Sequence, residues 1–188
     1  MEETSLTALR FLIIDDSQPM RDLLQALLEA MGINDVIQAR NGEEGLRLFH
    51  TKNPDIIITD GAMSPMDGYE LTDHIRTNPD CPNPYVPIVM LSGYLGSAQI
   101  EKARAKGVTE YLGKPVSSVT LYERIIAIVG NPYYFIRTPT YLGPDRRRET
   151  NEIHLGAGKR LNDAISTADG PIAPLLSANS FNVFRSYE

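Results

Sequence analysis

The sequence predicts a doubly wound α/β fold built on a five-stranded parallel sheet. Three observations lead there. Short apolar runs alternate with amphipathic helical segments over about 125 residues. Several of those runs are apolar on both faces, as in strands buried between two helical layers. Four of them also end in a polar residue: Phe11-Leu12-Ile13-Ile14 runs into Asp15-Asp16, Ile56-Ile57-Ile58-Thr59 into Asp60, Ile88-Val89-Met90-Leu91 into Ser92, and Tyr111-Leu112-Gly113 into Lys114. In an open parallel sheet the ligand sits at the carboxyl ends of the strands, where these residues would gather.

The elements follow in order. After Asp16, the residues Met20, Leu23, Leu24, Leu27, Leu28 and Met31 recur at helical spacing, and Gly32 stands where a helix C-terminus favours glycine. Asp35–Ala39 reads as a short strand. Glu43–Thr51 reads as a helix with Leu46 and Phe49 inward, ended by Asn53-Pro54. Asp55–Thr59 is the next strand, and Gly68–Thr77 a short helix stopped by Pro79. A Pro-rich turn over 79–84 leads to the strand Ile88–Leu91. Ala98–Lys106 is a weaker helix closed by Gly107, Val108–Leu112 a strand, and Val119, Leu121, Ile125, Ile126 and Val129 line the last helix.

Beyond Asn131 the periodicity fails. Residues 8–130 form the predicted domain, and 131–188 an irregular, partly disordered tail. With so little periodicity, those residues would struggle to bury an independent core. The tail's one distinctive feature is Tyr141-Leu142-Gly143-Pro144-Asp145-Arg146-Arg147-Arg148.

Charge and composition narrow the function. The chain of 188 residues carries a net charge of −6, with −7 in residues 1–130 and +1 in the remainder. An acidic main domain disfavours a nucleic-acid surface, and three arginines without a helix-turn-helix pattern make a poor DNA site. No stretch of eighteen apolar residues is present, so no membrane span is expected. A polar, acidic N-terminus and a single cysteine, Cys81, fit a reducing, cytoplasmic setting. His50, His74 and His154 are isolated and read as surface residues.

The strand-tip residues suggest specific chemistry. Mg²⁺ is a hard ion that takes oxygen ligands and keeps several waters. Asp16 and Asp60 are expected as direct ligands and Asp15 through water. Three carboxylates in one place repel, and the metal and Lys114 would relieve that repulsion and keep Asp60 ionised. An ionised aspartate can attack phosphorus to form an acyl phosphate. Ser92 and Lys114 would then hydrogen-bond and ion-pair with the new phosphoryl oxygens.

Asp15-Asp16, Asp60, Ser92, Tyr111 and Lys114-Pro115, in this order, resemble the receiver domain of two-component response regulators, of the chemotaxis-regulator type. The segment Met63-Ser64-Pro65-Met66-Asp67-Gly68 is similar to that family's loop after the phospho-acceptor. The resemblance covers roughly residues 8–130 and implies the flavodoxin-like (βα)5 fold. It implies phosphorylation of Asp60 by a sensor histidine kinase or a phosphotransfer protein, with Mg²⁺ as cofactor. It also implies a metal contact from the Ala62 backbone carbonyl and a cis bond between Lys114 and Pro115. Ser92 and Tyr111 become the switch pair that alters a surface read by a downstream protein target. Such a protein is a phospho-acceptor that assists its own phosphorylation and dephosphorylation and is not an enzyme in the ordinary sense.

The chain departs from the family pattern at three places. Ala62 stands where Asn is common, Ser64-Pro65 displaces the usual proline by one position, and Ser92 replaces the commoner Thr. No output domain is recognisable, so a stand-alone regulator is expected, and a homodimer is compatible with it. Two alternatives remain. In one, the tail is an output segment that binds DNA or an enzyme target. In the other, the protein is a Mg²⁺-dependent aspartyl phosphohydrolase. The latter usually carries a second Asp two residues after the nucleophile, where this chain has Ala62.

Overall fold

The structure, a computed structural model, describes residues 6–130 and 133–146. The N-terminal residues 1–5, Arg147, Arg148, His154 and the rest of the predicted tail from 147 onward lie outside the described residues.

Five parallel strands form one sheet in the order β2-β1-β3-β4-β5: β1 (Arg10–Ile14), β2 (Asp35–Ala39), β3 (Ile56–Asp60), β4 (Ile88–Ser92) and β5 (Glu110–Gly113). The three central strands carry the near-continuous Ile, Leu and Val runs, and β3 and β4 are buried along their whole length. β2 and β5 are the edges and are correspondingly more polar and more exposed.

Five helices alternate with the strands: α1 (Gln18–Ala30), α2 (Gly42–Lys52), α3 (Gly68–Thr77), α4 (Ser97–Ala105) and α5 (Ser118–Gly130). One face of the sheet packs Phe11, Ile13, Ile58, Val89 and Leu91 against Leu24 and Leu28 of α1 and Leu121, Ile125 and Ile128 of α5. The other packs Leu12, Ile14, Ile57 and Ile88 against Phe49 of α2 and Leu71 and Ile75 of α3. A smaller cluster joins Tyr69, Met90, Ala103 and Val108, with Tyr111 against it. The fold is the predicted one, and each predicted element is present within two residues at either end.

Helical faces were the weaker part of the sequence expectation. Leu23, Val119 and Ile126 were grouped with the inward residues, but they are 47%, 64% and 39% exposed. Each shares a helix with enough other apolar side chains to fill the groove beneath it, so the stripe is wider than the contact. Arg21, at an inward position of α1, is instead 8% exposed.

The region after α5 contains a second piece of regular structure. β6 (Phe135–Thr138) and β7 (Tyr141–Pro144) pair as an antiparallel hairpin with Phe135 opposite Pro144 and Thr138 opposite Tyr141. Pro139 sits in the turn, where a proline costs no ladder hydrogen bond. Pro144 occupies the last position of β7. These residues broke the apolar pattern in the sequence, yet they are compatible with a two-stranded ribbon.

The hairpin clasps the amino-terminal edge of the sheet, opposite the polar strand tips. Phe135 is 2% exposed, meets Tyr85 edge-on at 5.7 Å and lies 5.1 Å from the guanidinium of Arg76. Arg76 is buried and donates to the carbonyls of Gly107, Pro84 and Val86 at 3.1, 2.7 and 2.8 Å. Gly107 has φ +83°, and a Cβ there would lie 2.3 Å from the Leu142 carbonyl. A side chain at 107 is therefore excluded both by backbone hand and by the hairpin lying across it. Arg146 completes the clasp through the Val108 carbonyl at 2.5 Å.

Replacing Phe135 with Ala is expected to lower stability by about 3 kcal/mol, the low end for truncating a buried aromatic. Urea unfolding measures it; a loss under about 1 kcal/mol would mean the hairpin is not tied to the domain.

Candidate functional site

Sheet register builds the site. Ile14 pairs with Thr59, Asp60 with Leu91, and Ser92 with Gly113. Asp15, Asp60, Ser92 and Lys114 therefore follow one another around a single edge of the sheet. The ladder continues to the tips: Asp15 N–H donates to Ala39 O at 3.2 Å, Gly61 N–H to Leu91 O at 2.8 Å, and Lys114 N–H to Ser92 O at 2.7 Å. Backbone hydrogen bonds thus fix the origin of each functional side chain.

One carboxylate oxygen from each of Asp15, Asp16 and Asp60 lies within 4.8 Å of the others. Asp15 and Asp60 are 1% and 8% exposed, whereas Asp16 faces solvent. The Lys114 ammonium lies 2.8 Å from Asp15 Oδ2 and 3.1 Å from Asp60 Oδ2. Asp15 is held on its other oxygen by the Ser17 N–H at 2.8 Å. Asp16, exposed beside this pair, leaves the cluster open to water and small ions. The donor set is all oxygen and anionic, which suits a hard divalent cation such as Mg²⁺.

Ionisation is finely balanced. Burial raises the Asp60 carboxyl above its ordinary value, Lys114 and the backbone at Ala62 pull it back down, and Asp15 pushes it up again. The net shift is upward. Burial alone would lower the Lys114 ammonium, but hydrogen bonds and charge from Asp15 and Asp60 outweigh it, and Lys114 is raised.

Ser92 ends β4 and is 6% exposed; its hydroxyl oxygen accepts the Tyr94 N–H at 3.1 Å. Tyr111 is half-buried on β5, and its hydroxyl donates to the Tyr94 carbonyl at 2.7 Å. Lys114-Pro115 is cis, as the resemblance implied, and Ser64-Pro65 is cis as well. Ala62 is exposed just past β3. The loop beyond it returns to the site through Gly68, where a Cβ would stand 2.2 Å from the Asp60 carbonyl, so only glycine permits this approach. Asp67 closes the loop with a capping box, accepting the Glu70 N–H at 2.7 Å while its own N–H donates to the Glu70 carboxylate at 3.0 Å.

Two supporting residues escaped the sequence reading. Arg21 donates to the Asp15 carbonyl at 2.7 Å and to the Gln38 side chain at 3.2 Å, bracing the first strand tip. The signal was present: a cation at positions 21, 24 and 28 of one helical face is out of place unless it has a polar partner. Tyr69 is the other, near the start of α3 with its hydroxyl 3.4 Å from that of Tyr111. His50 and His74 are exposed, as expected.

Comparison with known proteins identifies the domain. Residues 11–126 match the family model described as the response regulator receiver domain. The chain belongs to that family. It is 33% identical over 124 residues to a chemotaxis protein CheY homolog of Campylobacter jejuni, covering 93% of that protein and 65% of this chain. It is 36% identical over 120 residues to a probable transcriptional regulator, ycf27, of Guillardia theta, and there it spans only 45% of the relative's length. A putative response regulator from Chloroflexus aurantiacus superposes with a TM-score of 0.60 at 28% identity, covering 65% of this chain and 98% of that one. The receiver domain therefore accounts for the sheet and its five helices, while β6 and β7 lie beyond the matched residues. No described helix is long and apolar enough to cross a membrane.

A stability cost follows from the Asp60 shift. Because folding raises this carboxyl, its ionisation opposes folding; the cost is absent below the ordinary value of 3.8 and complete above the raised folded value. Asp60→Asn is accordingly expected to stabilise the metal-free protein at neutral pH. Mg²⁺ should narrow the gap by stabilising the parent more. Urea titration with and without Mg²⁺ tests this, and a less stable Asn variant in metal-free buffer would contradict it.

Proposed function

We propose that this receiver domain accepts a phosphoryl group on Asp60 from a histidine kinase or phosphotransfer protein and signals the change to a protein partner. The observation that carries the reading is the placement of Lys114 between the Asp60 and Asp15 carboxylates, with Asp16 open to solvent beside them. An aspartate in that setting is flanked by the cation that its product needs.

Asp15, Asp16 and Asp60, with the Ala62 carbonyl, would hold Mg²⁺, which supplies neutralising charge to the phosphoryl oxygens. The remaining work falls to the protein's own side chains. One Asp60 oxygen attacks phosphorus in line with the departing donor group, the P–O bond to Asp60 forms, and the bond to the donor nitrogen or oxygen breaks with its electron pair. Lys114 stays ionised and turns to the new phosphoryl oxygens. Ser92 gives up the Tyr94 N–H contact and donates its own proton to the same group. Catalysis on this view is alignment plus charge neutralisation.

The magnitudes are of the right order for a switch. Hydrogen bonds to charged groups contribute roughly 1.5–3 kcal/mol each, so two contacts that form in only one state would supply about 3–6 kcal/mol. Moving an equilibrium from 1:99 to 99:1 requires about 5.5 kcal/mol. The Ser92 movement would release the loop at Tyr94, to which Tyr111 is bonded, and so reach the surface of α4 and β5.

Asp60→Asn is expected to abolish acyl-phosphate formation from a small phosphodonor with Mg²⁺, and chelation of the metal should suppress it in the parent. Phosphate-affinity electrophoresis reads both; normal labelling of the Asn variant would refute the assignment. Lys114→Met should reduce labelling by about 10²-fold, the loss typical of removing one electrostatic partner of a reacting group.

A further inference from the structure

Tyr69, near the start of α3, is 8% exposed and touches three separate elements. A Cβ on Gly61, next to the acceptor, would meet the edge of its ring at 3.4 Å. The Lys102 ammonium of α4 sits 4.0 Å from the ring centroid, a cation–π distance. Its hydroxyl is 3.4 Å from the hydroxyl of Tyr111 on β5.

The direction of that last contact can be deduced. A phenol has one proton to donate. Tyr111 spends its proton on the Tyr94 carbonyl at 2.7 Å, so its oxygen is the acceptor and Tyr69 the donor. A continuous path results: Tyr69 O–H to Tyr111, Tyr111 O–H to the Tyr94 carbonyl, Tyr94 N–H to Ser92 Oγ. The hydroxyl of this largely buried residue lies in a part-buried position, and among the described residues Tyr111 is the hydrogen-bond partner it has. Burial, and then Tyr111, push the Tyr69 phenol well above its ordinary range, so it stays protonated and able to donate.

A merely structural tyrosine here would require only its ring, since Met90, Ala103 and Val108 supply an apolar nest. Phe would serve that purpose better, because it leaves no hydroxyl to satisfy. The polar end faces the one tyrosine whose position reports on the Ser92 loop.

We propose that Tyr69 is a positioning residue: its hydroxyl holds the Tyr111 ring where its own hydroxyl reaches the Tyr94 carbonyl, and Lys102 across the Tyr69 ring ties that arrangement to α4. Calling this arrangement part of a switch rests on the function proposed above; the pairing itself does not.

Tyr69→Phe in the full chain is the test, read by NMR of tyrosine rings with Tyr111 assigned through Tyr111→Phe. The variant should melt like the parent and form the acyl phosphate as the parent does. The ratio of Tyr111 bonded to the Tyr94 carbonyl to Tyr111 turned away from it should fall about two- to fivefold, the low side of what a neutral hydrogen bond supplies, as fits a 3.4 Å hydroxyl pair. Unchanged Tyr111 resonances in Tyr69→Phe overturn the inference. Should that variant fail to fold, the reciprocal one decides: a shifted Tyr69 resonance in Tyr111→Phe supports the pairing, and an unshifted one overturns it. If the parent takes no label, the reading of Asp60 falls, yet the ring resonances, recorded without a phosphodonor, still judge Tyr69.

Discussion

The arrangement depends on one ammonium held between two buried carboxylates. Lys114 stands 2.8 Å from Asp15 and 3.1 Å from Asp60, and neither acid is more than 8% exposed. Without a cation, like charges this close would drive one carboxyl to keep its proton, and a protonated Asp60 is no nucleophile. The balance is incomplete by design of the site: burial still wins at Asp60, whose carboxyl stays above its ordinary value. That residual tension is what a divalent ion, or a phosphoryl group with its ion, can relieve. The same feature makes the site responsive and somewhat destabilising.

Everything else in the domain positions that contact. Parallel pairing sets the tips of four strands in fixed register, with Ile14 beside Thr59, Asp60 beside Leu91 and Ser92 beside Gly113. Arg21 braces Asp15 from behind through its carbonyl, and Gly68 lets the following loop close down on Asp60. At the opposite edge the β6–β7 hairpin holds the turn between α4 and β5 through Gly107 and Val108. The start of β5 is thus anchored, while its other end leads into Lys114.

Much of this was legible in the sequence because it rests on short-range signals. Apolar runs ending in Asp, Ser or Lys located both strands and site, and the helical periodicity with Gly32, Pro54 and Gly107 located the boundaries. What was missed depends on contacts between distant residues. Leu23, Val119 and Ile126 sit on stripes broader than the surface they cover, which periodicity cannot reveal. No local pattern singles out Tyr69; its contact is with Tyr111, 42 positions away. The hairpin was obscured because Pro139, Gly143 and Pro144 interrupt an apolar pattern, although the first of them suits a turn. Its stability comes from Phe135 on Arg76 and Tyr85, a pairing that no local window contains.

The claim that strand-tip oxygens and Lys114 form one charge-balanced pocket for a divalent ion is tested most directly by titration calorimetry of the parent chain with Mg²⁺ at neutral pH. The account predicts saturable uptake of a single ion. No uptake at millimolar Mg²⁺ would contradict it, and with it the chemistry assigned to Asp60.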